Sequence, residues 1–230
     1  MSKVFISFDV DGTVVNFTTS VNVHKQAFSN AVEEVIAPVG DIEEFLGYSL
    51  AGWMDKKIIH HIVEKLGREP TEEIINEIGK RTEQNFIKMF TVVPEVPKGI
   101  KRILSELCTM PNVTIGLASG NLQEIAWKKL TNAGLIEYFP DRIGGFGGFV
   151  WERVEALKLA RENAEKLRGY KFDKWFHVGD MPNDVDAALS AGATAVAVKT
   201  GHPGDHPYPS PSYIFNNLEE GHDEFMKLIQ

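Results

Sequence analysis

The chain has 230 residues, 43% of them hydrophobic and 24% charged, with a formal net charge of -8, which describes a globular protein with a sizeable core, as one large domain or a core with a smaller companion. The acidic balance argues against nucleic acid or an anionic membrane as the main partner, and no apolar run reaches transmembrane length. A single cysteine excludes an internal disulfide framework, and with Met1-Ser2-Lys3 leading straight into a strand it predicts a protein without a secretory signal, in the reducing cytoplasm.

The first element, Val4-Phe5-Ile6-Ser7-Phe8, is short, bulky and apolar, as a buried strand is. It runs directly into Asp9-Val10-Asp11-Gly12-Thr13. Side chains two apart on an extended chain face the same way, so a core strand here ends in two carboxylates, where charge is costly. A solvated strand end or an Asx turn before the glycine is the plainer alternative.

Residues 20–90 then read as helices. Ala27, Phe28, Ala31, Val32 and Val35 form one apolar stripe, and Ile58, Ile59, Ile62, Val63 and Leu66 form a second that stops at Gly67. A third runs through Ile74, Ile75, Ile78, Phe86 and Phe90, with Thr71 as its cap. Pro94 to Gly99 break the pattern. Beyond them helix and strand alternate: helix 100–108, strand 113–118, helix 122–133, a short strand 142–146, helix 152–168, strand 175–179, helix 183–191 and strand 193–198. A proline-rich loop over 202–211, a last strand at 213–215 and a closing helix complete the chain. This alternation predicts an α/β fold, a parallel sheet covered by helices on both faces with right-handed crossovers. Cys108, among Leu104, Leu107 and Met110, reads as a small buried filler, and the glycine run at 144–148 reads as a tight loop because it lacks the dinucleotide spacing.

Two more strand ends carry chemistry. The strand at 113–118 ends in Ser119-Gly120-Asn121 and turns into a helix, offering a hydroxyl, a permissive glycine and exposed amides for a phosphate; a simple helix N-cap explains Ser119 or Asn121 equally well. The strand at 175–179 ends in Gly179-Asp180-Met181-Pro182-Asn183-Asp184. Dipole pairing at a helix start accounts for Asp184 but not for Asp180. Two apolar strands that each end in acid point to a hard cation with oxygen ligands, Mg2+ above all. His60 and His61 have no acid nearer than Asp55 and Glu64, and no metal site is read there. Tyr48, Ser49, Trp53, Lys56 and Lys57 lie among the helices of residues 20–90, either facing a substrate or serving as helix core and solvated charge.

In order and spacing, Phe8 to Thr13, Ala118 to Asn121 and Gly179 to Asp184 resemble motifs one, two and four of the haloacid dehalogenase superfamily of phosphotransferases, in particular its phosphoglycolate phosphatase-like branch. The helical insert at 17–94 falls where that branch carries its α-helical type 1 cap, leaving 1–16 and 95–230 as the catalytic core. The resemblance implies a doubly wound sheet of strand order 5-4-1-2-3 and hinges near 16–20 and 91–97. Asp9 would be the nucleophile and Asp11 the general acid and base. Ser119 with the amides of Gly120 and Asn121 would hold the phosphoryl oxygens, and Mg2+ would sit on Asp9, the Asp11 carbonyl, Asp180 and Asp184. Motif three is normally a Lys; Arg153 is chosen for it, with Lys158 as rival. The implied activity is Mg2+-dependent hydrolysis of a small-molecule phosphate monoester through an aspartyl-phosphate, the substrate being phosphoglycolate, a sugar phosphate or a nucleotide. A mutase of the beta-phosphoglucomutase type and a non-catalytic phosphate-ligand binder on the same fold are the alternatives. A metal-free dehalogenase is disfavoured by Asp11, Asp180 and Asp184. The Trp- and Tyr-bearing cap is also a candidate homodimer contact.

Overall fold

Every residue of β1 (Val4–Phe8) is buried, as its uninterrupted apolar run requires when helices cover both faces of a sheet. A computed structural model describes residues 1–16, 18, 20–201, 207–210 and 212–230. Phe17 and Thr19 of the expected first hinge, and most of the proline-rich loop over 202–211, lie outside the described residues. β1 is central. It pairs in parallel with β2 (Val113–Ser119) on one side and β4 (Lys174–Gly179) on the other, with Phe8 in register with Leu117 and Val178. With β3 (Gly144–Phe146), β5 (Thr194–Val198) and β6 (Tyr213–Phe215) the sheet order is β3-β2-β1-β4-β5-β6, parallel throughout. The expected order is therefore present, with β6 added at the edge beside β5.

Among the described residues the insert between β1 and α5 holds α1 (Val21–Val35), α2 (Ile42–Leu46), α3 (Asp55–Lys65) and α4 (Glu72–Met89). The core helices are α5 (Ile100–Cys108), α6 (Gln123–Asn132), α7 (Arg153–Arg168), α8 (Pro182–Ala191) and α9 (His222–Ile229). Strand alternation divides the core in two. Val4, Ile6 and Phe8 pack with Ile103 and Leu107 of α5, Leu130 of α6 and Phe225 of α9. Phe5 points the other way, into Leu157 and Ala160 of α7 and Val185 and Ala188 of α8. Most of the three stripes of the insert form a separate apolar cluster around Phe28, Val32, Ile59, Ile62 and Ile78, while Ala27, Phe86 and Phe90 pack against Leu122 and Ile125 beside and on α6. α2 has no stripe of its own length to announce it. Its start is set by Asp41, whose side chain accepts from the Glu43 and Glu44 amides, and its end by Gly47 at φ 88°.

One expectation needs correction and another is met in part. Cys108 is exposed, not a buried filler: Ile100, Ile103, Leu104 and Leu107 are the buried stripe of α5, and position 108 falls on its flank in the last turn. Gly144–Phe146 is β3, within the short strand expected over 142–146, so only Gly147 and Gly148 of the glycine run lie in a loop. Its glycines are there for close approach. A Cβ on Gly145 would collide with the Ala156 carbonyl of α7, and one on Gly147 with the Gly120 carbonyl. Gly145→Ala is accordingly expected to cost about 1–3 kcal/mol, as overpacking against backbone does, read as a lower denaturant midpoint at unchanged slope.

Besides its apolar contact with α6, the helical insert docks on the core through main-chain groups. The Asp55 amide donates to the Gly120 carbonyl at 2.9 Å and the Lys56 amide to the Gly147 carbonyl at 3.0 Å. In return, the first turn of α6 donates to acids of the insert, Leu122 N to Asp55 Oδ2 at 2.6 Å and Glu124 N to Glu83 Oε1 at 2.9 Å.

Candidate active site

A parallel sheet gathers ligands outside the carboxyl ends of its strands, where the winding direction reverses. Here that point lies between β1 and β4, and Asp9 and Asp180 are the first residues beyond those two strands. Their carboxylates meet that of Asp184, on the first turn of α8: one oxygen from each lies within 4.8 Å of the others, and all three residues are buried. Asp184 is held twice, with Oδ2 accepting from the Met181 amide at 3.0 Å and Oδ1 from Arg153 Nη1 at 2.5 Å. Gly12, at φ 82°, and Gly201 leave room for the Asp180 carboxylate, since a Cβ on either would strike it. Thr13 Oγ1 donates to Asp180 Oδ1 at 3.3 Å and Tyr208 OH to its carbonyl at 2.9 Å.

Arg153 opens α7 and points into this acidic group, with Nη1 3.3 Å from Asp9 Oδ1 and Nη2 3.3 Å from the Gly52 carbonyl of the α2–α3 loop. Its rival Lys158 is exposed farther along α7, and Asp186 is likewise exposed on α8. The charges do not balance. Burial first, then the Asp184 carboxylate, pushes Asp9 up to about 7 against the pull of Arg153. Burial, then Asp184 and Asp9, raises Asp180 well above the usual carboxylate range. Three buried carboxylates facing one guanidinium are an all-oxygen donor set short of positive charge, which suits a hard divalent ion such as Mg2+ better than a thiolate- or imidazole-seeking metal.

Asp11 belongs to a second group. Its Oδ2 accepts from Lys129 Nζ at 2.6 Å and from Asn121 Nδ2 at 2.8 Å, and its Oδ1 from Ser20 Oγ at 3.2 Å. Burial works to raise its pKa, but the charge and hydrogen bond of Lys129 outweigh it and the net shift is downward. Lys129, only 1% exposed, also donates to Asn121 Oδ1 at 2.9 Å, and Asn121 Nδ2 reaches Ser119 Oγ at 2.8 Å. Neither Ser119 nor Asn121 caps α6. Its N-cap is Leu122, without a side-chain bond, so both polar side chains are left to the site. No motif points to Lys129, although it lies on the buried stripe of Ile125, Ala126 and Leu130. A lysine inside an apolar stripe is the signal that would have found it. Below the site, burial pushes His177 down to about 4, so it is a neutral ring, 3.0 Å from Ser7 Oγ through Nδ1.

These residues line one cavity of about 350 Å3 between the sheet and the insert. Asp9, Asp11, Ser119, Gly120, Asn121, Arg153 and Asp180 are on its floor and Asp184 is just behind it. Ser49 and Trp53 line it from above, but Lys56 and Lys57 do not. Lys56 pairs with Glu72 and lies 4.6 Å over the Trp151 ring, and Lys57 pairs with Glu152. On α3, His60, His61 and Glu64 bring three ligand atoms within 4.8 Å of one another, as the i,i+4 spacing of His60 and Glu64 allows; His61 Nδ1 is 2.6 Å from the Tyr48 hydroxyl.

Similarity to known proteins agrees with this geometry. A phosphoglycolate phosphatase of Neisseria meningitidis is 23% identical over 229 residues, covering 94% of this chain and 90% of that one. Among solved structures, a beta-phosphoglucomutase of Clostridium difficile superposes with a TM-score of 0.65 at 17% identity, over 99% of this chain and 100% of that one. A family IA HAD hydrolase of Entamoeba histolytica reaches 0.66 at 17% identity, over 100% and 99%. The sequence profile of the haloacid dehalogenase-like hydrolases matches residues 5–192, from β1 to the end of α8, and the chain therefore belongs to that family of enzymes.

Proposed function

We propose that this hydrolase is a Mg2+-dependent phosphatase, cytoplasmic and independent of nucleic acid and membrane, that cleaves a small-molecule phosphate monoester through a phosphorylated Asp9. The observation that carries the reading is the meeting of Asp9, Asp180 and Asp184 with Arg153 where β1 and β4 end. The phosphatase name of the Neisseria relative supports it.

An Asp9 oxygen attacks phosphorus while the bond to the leaving oxygen breaks; Asp11, ionised beside Lys129 in the free protein, takes up a proton as the dianionic ester binds next to it and gives that proton to the leaving oxygen. Water then attacks the same phosphorus, Asp11 takes the proton back, and Asp9 is released with inorganic phosphate. Lys129 and Ser20 fix the Asp11 carboxylate for the second half, and Asn121 ties it to Ser119. Ser119 Oγ and the amides of Gly120 and Asn121 hold phosphoryl oxygens, and Arg153 spreads their charge. Asp9, the Asp11 carbonyl, Asp180 and Asp184 would hold the metal, which supplies charge neutralisation between carboxylate and phosphate.

A carboxylate within about 4 Å of a phosphate dianion is repelled by about 8 kcal/mol at an effective dielectric near 20. That is about six decades of rate. Arg153 covers part of it, so chelation is expected to lower the turnover of p-nitrophenyl phosphate by at least about three decades, with recovery on adding Mg2+. Turnover in excess EDTA within tenfold of the Mg2+-loaded rate would refute the metal requirement. A mutase is the second reading, because the beta-phosphoglucomutase fold is so similar. Release of inorganic phosphate from a sugar phosphate separates phosphatase from mutase, which yields an isomer.

A further inference from the structure

The cavity wall opposite the phosphoryl site is built by the insert, and its charges are already matched. Lys25 of α1 pairs with Glu43 of α2. Glu43 is further fixed because its Oε1 accepts from the Leu50 amide at 2.8 Å. His24 Nε2 is 3.2 Å from Asp55 Oδ2. On the floor, Lys129 faces Asp11, and Arg153 faces Asp9 and Asp184. Among the described residues, every cation lining the cavity therefore has an acid beside it, and the wall carries two carboxylates of its own, Glu43 and Asp55. What remains toward the centre is a mixture of donors and acceptors, the Lys25–Glu43 pair and the Ser49 hydroxyl, beside apolar surface from Phe28, Leu50 and Trp53.

We infer that this wall recognises the uncharged, hydroxyl-bearing part of a sugar or polyol monophosphate, with Glu43 and Lys25 as the specificity residues, and that it rejects esters carrying a second anion. The inference rests on the phosphatase reading of the floor and names its substrate class. Hydroxyls both donate and accept, so a fixed ion pair serves them on both sides, whereas a carboxylate or second phosphate would meet Glu43 and Asp55 with no spare cation. An aromatic and aliphatic surface beside such a pair suits the C–H face of a sugar. At about 350 Å3, near the small end of the roughly 300–1,000 Å3 typical of small-molecule sites, the cavity fits a phosphate with a short polyol or one sugar ring rather than a nucleotide.

Matched esters that differ only at the distal group test this. With Mg2+ present, kcat/KM is measured for 2-hydroxyethyl phosphate against 2-phosphoglycolate and for glycerol 3-phosphate against 3-phosphoglycerate. Glucose 6-phosphate and p-nitrophenyl phosphate complete the set. The hydroxyl member of each pair is expected to be favoured at least about tenfold, and glucose 6-phosphate to exceed p-nitrophenyl phosphate. Glu43→Gln keeps the acceptor for the Leu50 amide and removes the charge, so it should raise the carboxylate-to-hydroxyl ratio by about tenfold. Equal or better use of the carboxylated members by the wild-type enzyme overturns the inference, and that comparison needs no variant. A ratio unmoved in Glu43→Gln overturns the role of Glu43. If none of the six esters releases inorganic phosphate, the phosphatase reading fails, and the inference with it.

Discussion

Asp9→Asn should abolish turnover while making the metal-free protein more stable. The amide cannot attack phosphorus, and loss of a nucleophile typically removes about four to six decades of kcat. The stability gain follows from linkage. The folded state raises the Asp9 pKa from 3.8 to about 7, mainly by burial, so between those values the native protein binds more protons than the unfolded chain. Stability then falls as pH rises from about 4 through 7, and the penalty is complete above 7. At pH 8 it amounts to a few kcal/mol at about 1.4 kcal/mol per pKa unit. An uncharged Asn escapes it. Thermal unfolding in EDTA should therefore show Asp9→Asn melting above wild type at pH 8, with the two converging near pH 4. Mg2+ should stabilise wild type more at pH 8 than at pH 5. A variant that melts lower than wild type at pH 8 would contradict this account of the charge imbalance.

Lys129→Met should be damaging in two separable ways. It leaves the Asp11 carboxylate without its ammonium partner and Asn121 Oδ1 without a donor. Because 27% of the Asp11 side chain reaches solvent, the stability cost is expected at about 1–3 kcal/mol, the range for one orphaned polar partner, rather than that of a fully buried charge. Turnover should fall by about two to four decades, the usual worth of a positioned acid or base. Adding Asp11→Asn to Lys129→Met should restore the melting temperature without restoring activity. Loss of stability that the second substitution fails to recover would mean that Lys129 matters for packing alone.

The parts of this site that were legible in the sequence are those where one strand carries its chemistry with it. Asp9 and Asp11 follow a run too apolar and too short to be anything but a buried strand. Asp180 follows a glycine at the end of another, and the Ser119-Gly120-Asn121 turn follows a third. Arg153 was legible only through family resemblance, since by local pattern it is one more charge at a helix start. Lys129 was hidden for the opposite reason: it is spaced as an apolar residue, and periodicity alone assigns such a position to the core. The contacts of Asp55 and Glu83 with α6 span 67 and 41 residues of chain. No local rule reaches that far. Cys108 shows the limit from another side, because apolar neighbours in sequence are not neighbours around a helix.

The placement of Asp55 and Glu83 on the first turn of α6 has a consequence for how an anion is admitted. Helix starts attract negative charge, and α6 begins immediately after the Ser119-Gly120-Asn121 turn. While α3 and α4 rest on it, that attraction is spent on two resident acids. Each of these capping bonds is worth about 0.5–2 kcal/mol, so together they hold α3 and α4 against the start of α6. With both acids in place, the amides of Leu122 and Glu124 are closed to any incoming anion.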